Sequence, residues 1–209
     1  MSGTWTKAGG WNVMEKKEIK SQVILVDAAY ADRLAADLSA HFSHALDRKI
    51  PSADLAEWLV CCALDAAIPQ GEGPTQVVFV CEKDQTELAH FLPSNLKTEI
   101  DGQAFNDAQM GEFLLSAIYQ ENLISGEPLF AQCVRSLLGA DGTPSQHLTH
   151  LVLVPDMLRY GAELTDALAA DEKKISTLLT MNPHEPTELR HAVVGFSLMH
   201  AMGIRSDEV

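Results

Sequence analysis

Apolar and β-branched residues crowd into three short runs, Gln22–Asp27 (QVILVD), Gln76–Glu82 (QVVFVCE) and Leu148–Asp156 (LTHLVLVPD). Each run ends on or beside a carboxylate. Runs this short, apolar on both faces, predict strands buried in a parallel sheet. The spacing changes between them. Tyr30, Leu34, Leu38, Phe42 and Leu46 recur every four residues and predict a helix with a broad apolar stripe. After the break at Lys49–Ser52, Leu55, Leu59, Cys62, Ala63 and Ala66 predict a second helix, with Ser52 as its N-cap and Asp54 and Glu57 near its first turn.

Further along, Thr86–Phe91 reads as a short helix and Leu96–Ile100 as a brief edge strand. Asn106 with Gln109 resembles a capping box that opens a helix carrying Met110, Phe113, Leu114, Ala117 and Ile118. Phe130, Val134, Leu137 and Leu138 predict a helix that runs to Gly139, and Leu158, Leu164, Ala167 and Leu168 another. Lys173–Met181 is a fourth strand. Pro186 precedes a last helix, Thr187–Met202, closed by Gly203. Phe196, Met199 and Met202 on that helix belong either to the core or to a face that pairs with a second copy. The alternation of strands and helices predicts a single α/β domain over residues 22–209, behind an arm of residues 1–21 that carries Trp5 and Trp11. Its architecture is three-layered, a mainly parallel sheet of four or five strands with helices on both faces.

Charge narrows the list of partners. Across 209 residues the formal net charge is −14, which argues against broad contact with nucleic acid or with an anionic membrane. No apolar run approaches the length that spans a bilayer, and the first residues lack the apolar core of a signal peptide. Cys61, Cys62, Cys81 and Cys133 include no CxxC and read as reduced, buried thiols. A cytoplasmic protein is the expectation.

In an open parallel sheet, ligands bind beyond the carboxyl ends of the strands. Asp27, Glu82 with Asp84, and Asp156 stand there, and Asp101 or Asp107 is positioned to join from the segment between the second and third strands. Several carboxylates on one rim are the donor set of Mg²⁺ or Mn²⁺, which would activate water for phosphodiester hydrolysis. The plainer reading makes each acid the N-cap of the helix that follows it. Arg159 and Arg190 are the cations placed to reach a ligand at that rim. His41-x-x-His44 and His147-x-x-His150 lack a partner at zinc spacing.

The order of elements, with Asp27 closing the first strand and LVLVPDMLRYGAEL following a later one, resembles the NYN group of PIN-like nucleases. The resemblance implies a PIN-like fold over roughly residues 22–181. It makes Asp27 and Asp156 catalytic, metal-binding acids, with Asp101 or Asp107 as the intermediate acid and Glu82 and Asp84 in support. Tyr30, where that group usually has Asn, and Arg159 become candidate substrate-binding residues. The run Val154–Arg159 lacks the Ser-Gly and the second Asp of the group's pattern. Two functions follow. One is a non-catalytic interaction or regulatory module that forms a homodimer. The other is a Mg²⁺- or Mn²⁺-dependent phosphodiesterase acting on single-stranded RNA or a smaller nucleotide. The lost motif residues and the acidic balance favour the first.

Overall fold

The computed structural model describes residues 6–7, 19–119, 128–139, 147–169, 171, 173, 175–181 and 189–208. In chain order the elements are β1 (Thr6–Lys7), β2 (Gln22–Asp27), α1 (Ala28–Ala45), β3 (Ala53–Asp54), α2 (Leu55–Asp65), β4 (Thr75–Cys81) and β5 (Phe91–Leu92). A π-helical turn (Leu96–Ile100), β6 (Gln103–Asp107), β7 (Gly111–Tyr119) and α3 (Leu129–Leu138) follow. Then come β8 (His150–Val154), α4 (Met157–Leu168), β9 (Ser176–Thr180), β10 (Arg190–Val193) and α5 (Val194–Ala201).

The main sheet has eight strands in the order β1-β6-β7-β4-β2-β8-β9-β10, and β3 pairs with β5 in a small separate ribbon. From β7 to β10 every pairing is parallel, while β6 runs against β7 and β1 against β6. The fold is therefore α/β with a mainly parallel sheet, as expected, but the sheet is larger than four or five strands. Every residue of β2 and of β4 is buried, which explains their continuous apolar reading.

Alternation along the strands builds two cores. Ile24, Val26, Val77, Phe79, Phe113, Leu115, Val152 and Val154 face α1, α2 and α5. Val23, Leu25, Val78, Val80, Leu151 and Leu153 face α3 and α4. The chain is thus three layers deep, and α1 and α4 lie on opposite faces of one sheet.

The largest correction concerns Asn106–Ile118, which is a hairpin and a strand instead of a helix. Asp107, not Asn106, organises it. Its Oδ1 accepts the N–H groups of Gln109 at 2.9 Å and Met110 at 2.8 Å, and Gly111 takes φ +85° to enter β7. Leu96–Ile100 is a π-helical turn instead of an edge strand, capped by Asn95, which accepts from Lys97 and Thr98. Thr86–Phe91 is no helix; Glu87 bridges to Asn95 there, and Phe91 enters β5. Of the expected last helix, Arg190–Val193 is strand β10, helix begins at Val194, and residues 182–188 lie outside the described residues. The N-cap of α2 is Asp54, which accepts from Glu57, and not Ser52. Trp5 and Trp11 lie outside the described residues, while Thr6–Lys7 adds a two-residue strand at the sheet edge.

Candidate functional site

Strand order places the site. From β2 the chain passes through α1 and α2 to β4 on one side, and α3 later returns it to β8 on the other. The order therefore reverses between β2 and β8, and the loops leaving their carboxyl ends diverge. Such a switch point opens a crevice where ligands of α/β proteins bind.

Asp27 ends β2 and caps α1, its Oδ1 accepting the Tyr30 N–H at 3.0 Å. The Tyr160 hydroxyl, from α4 on the opposite face, donates to the same carboxyl. Only 3% of Asp27 is exposed, and burial raises its pKa above the ordinary 3.8. The Tyr30 and Tyr160 hydrogen bonds and the Arg159 charge pull it down, while the charge of Asp156 pushes it up. Asp156 follows β8 and caps α4. Its Oδ1 accepts from Leu158 at 3.0 Å and from Arg159 at 3.3 Å, while Oδ2 takes the Arg33 guanidinium at 2.6 Å. Arg159 in turn reaches Glu82, just past β4, at 2.7 Å.

Two arginine–tyrosine stacks therefore flank the crevice. Arg33 lies over the Tyr30 ring and Arg159 over the Tyr160 ring, each 5.3 Å from the ring centre. The Tyr30 hydroxyl meets the backbone of Met181, just past β9. The Tyr160 ring stacks on Phe130 at 5.4 Å. Burial raises the pKa of both phenols, so both stay protonated; Tyr160 donates to Asp27, while the Tyr30 oxygen accepts from the Met181 N–H.

A family model covers residues 16–209, and its description is a family of unknown function, DUF6621. The chain belongs to this family. No curated protein and no solved structure matches the chain. Membership in DUF6621 fixes kinship over residues 16–209 and leaves the chemistry to the crevice itself.

Of the acids expected at the site, Asp27, Asp156 and Glu82 meet there, and Tyr30 and Arg159 with them. Asp84 is exposed in the turn beyond β4. Asp101 does not join. Its Oδ1 accepts the Ala117 N–H at 2.8 Å and Gly102 continues the ladder on the outer side of β7, so Asp101 stands three strand positions, roughly 14 Å, from β2. Asp107 sits at the opposite rim. It pairs with Gly111, seven residues before Ile118, which shares the level of Asp27, and that separation is roughly 23 Å. Arg190 also lies at the opposite rim, at the start of β10.

The donor set does not fit a metal ion. Among the described residues no three His, Cys, Asp or Glu side chains are grouped to hold one. At Asp156 the position a cation would take belongs to Arg33. Cys81, at the end of β4, is buried with its pKa pushed up to about 12, so it is no activated nucleophile. Sequence reasoning missed Arg33 and Tyr160. The signal for them lay in Tyr30-x-x-Arg33 and Arg159-Tyr160, a cation and an aromatic in the opening turns after each strand-end acid.

Among the described residues no helix is long and apolar enough to cross a membrane.

Proposed function

We propose that the chain is a non-catalytic interaction or regulatory module built on a PIN-like α/β domain, working as a homodimer. One observation carries this reading: both crevice carboxylates are committed within the chain. Asp27 accepts from Tyr30 and Tyr160, and Asp156 accepts from two backbone N–H groups and from Arg33. A hydrolytic carboxylate pair needs free lone pairs toward an ion or a water. The PIN-like reading rests on Asp27 and Asp156 ending neighbouring strands, each followed by a long helix. A second copy of the chain is the partner the surface favours. Phe196 projects from α5 with 70% of its surface exposed and forms, with Met199 and Ile204, the apolar part of a groove of ≈ 780 Å³ that Glu57, His200 and Arg205 also line. A knob and a hole on one face are self-complementary, as a two-fold interface requires. A reducing, cytoplasmic setting suits the four free thiols.

The runner-up, a Mg²⁺- or Mn²⁺-dependent phosphodiesterase, draws on the same adjacency of Asp27 and Asp156 and requires Arg33 to leave.

Thermal melts of the wild type and Asp27→Asn, with and without millimolar Mn²⁺, decide between the two. A ligand that binds only the native state raises Tm by mass action. The expected result is a Tm that Mn²⁺ leaves unchanged in both proteins, with no Mn²⁺-dependent cleavage of single-stranded RNA. A rise in the wild type that vanishes in Asp27→Asn, with cleavage lost alongside it, would overturn the non-catalytic reading.

A further inference from the structure

We propose that the crevice between β2 and β8 binds a phosphate monoester group, held between the guanidinium groups of Arg33 and Arg159. This deepens the reading above by naming a ligand for the same site. The two arginines come from α1 and α4, which cover opposite faces of the sheet, so they approach the crevice from both sides. Their side chains are 53% and 41% exposed. Among the described residues each makes one ion-pair contact, through a single terminal nitrogen, although a guanidinium carries five N–H donors. Donor capacity therefore remains on both forks.

The forks are held in place. Each guanidinium lies over the tyrosine of its own helix, and each tyrosine is anchored in turn, Tyr30 on the backbone of Met181 and Tyr160 on Asp27 and the Phe130 ring. Such planar, stacked arginines suit bidentate contact with a pair of anionic oxygens, and phosphate offers such pairs on more than one side.

Charge and oxygen count favour phosphate over a carboxylate. A phosphate monoester approaches two negative charges near neutral pH and presents three acceptor oxygens, enough for both arginines at once. The carboxylates of Asp156 and Glu82 each take one nitrogen of these arginines. Glu82 is exposed and turns into water without stranding a charge. Asp156 keeps its two backbone hydrogen bonds and its contact with one terminal nitrogen of Arg33, and the other N–H groups of that guanidinium serve the phosphate. Asp27 is turned away, toward the Tyr30 N–H and the Tyr160 hydroxyl.

The test is calorimetric titration of the full chain, in a phosphate-free buffer, with inorganic phosphate, pyrophosphate, adenosine 5′-monophosphate and succinate. Binding of the phosphate probes is expected, weakened roughly tenfold or more in Arg33→Gln and in Arg159→Gln, since each removes a charge-assisted pair. Glu82→Gln frees Arg159 and is expected to tighten binding severalfold, a gain that a misfolded variant cannot imitate. Adenosine monophosphate binding more tightly than phosphate would assign the group to a larger nucleotide, and equal binding to the free ion; both support the site. No heat with any phosphate probe at 10 millimolar would overturn the proposal. So would affinities that are unchanged in both arginine variants, or succinate binding as well as phosphate. Failure here leaves the outcome of the Mn²⁺ melts untouched, and Mn²⁺-dependent cleavage would overturn the non-catalytic reading without removing the arginine site.

Discussion

The carboxyl of Asp27 is drawn two ways. It caps α1 and accepts from Tyr160, which favours the ionised form, but it is almost fully buried, which penalises that form more. With its folded pKa raised above 3.8, the native chain binds the proton more tightly than the unfolded chain does. This residue's contribution is therefore most favourable below the ordinary value and is lost as pH rises through the folded value. Asn at the same position keeps a cap of equal quality, and the Tyr160 hydroxyl can rotate to accept from its amide. Asp27→Asn is thus expected to raise Tm at pH 7.5, because it removes the buried charge and keeps the cap. The gain should shrink as pH falls toward 4. Melts of the two proteins across that range check it, and a lower Tm for Asp27→Asn at pH 7.5 would show that capping outweighs burial. Asp27 and Asp156 were legible in the sequence because an acid at a strand end has a fixed address. Arg33 and Tyr160 were not. Their partners lie across the sheet, and no local pattern says that α1 and α4 border one crevice.

At the scale of elements, β7 shows where periodicity misleads. Glu112–Tyr119 reads EFLLSAIY, a run whose apolar positions fit a helix and a two-sided strand alike. Tertiary context decides. Phe113 and Leu115 fill the core under α1 and α2, Ile118 packs toward α3 and α4, and the strand pairs with β4 and β6 together. The strands β2, β4 and β8 were legible because both their faces are apolar and β-branched, and β9 was legible from the pair Leu178 and Leu179. Strand β10 was not, since Arg190–Val193 is half-exposed and runs straight into the apolar pattern of α5. The turn before β7 makes its own prediction. Asp107→Ala removes the acceptor of two backbone N–H groups, and Gly111→Ala forces a side chain into φ +85°. Each change should destabilise by about 1–2 kcal/mol, with no effect on phosphate binding because the turn lies at the far rim. Urea unfolding beside calorimetry checks this, and phosphate binding lost with either variant would show that the two rims are coupled.

At the scale of the whole molecule, charge and apolar surface oppose each other. Two copies, each with a formal charge of −14, repel. The α5 face offers what offsets that repulsion, an exposed Phe196 on the wall of a groove of ≈ 780 Å³, while Met202 and Leu198 behind it are fully buried and fix the helix to the core. In sequence Phe196, Met199 and Met202 form one apolar set, fit for the core or for a face that pairs with a second copy. The structure separates them, because the helix is short and turns only one side to α2, where Ser197 faces Cys62 and His200 reaches Glu57. If Phe196 seats in the partner's groove, the dimer is held by apolar burial against long-range repulsion, and salt acts on the repulsion alone. The Debye length falls from roughly 14 Å to 4 Å between 50 and 500 millimolar salt, so dimerisation should strengthen with ionic strength. Light scattering over a concentration series at both salts measures this. Phe196→Glu adds charge and removes the knob, and it is expected to leave a monomer at every concentration, with a Tm that no longer depends on concentration and matches that of the dilute, dissociated wild type. A wild type that stays monomeric at both salts, or a dimer that Phe196→Glu leaves intact, would remove the second copy from the α5 face.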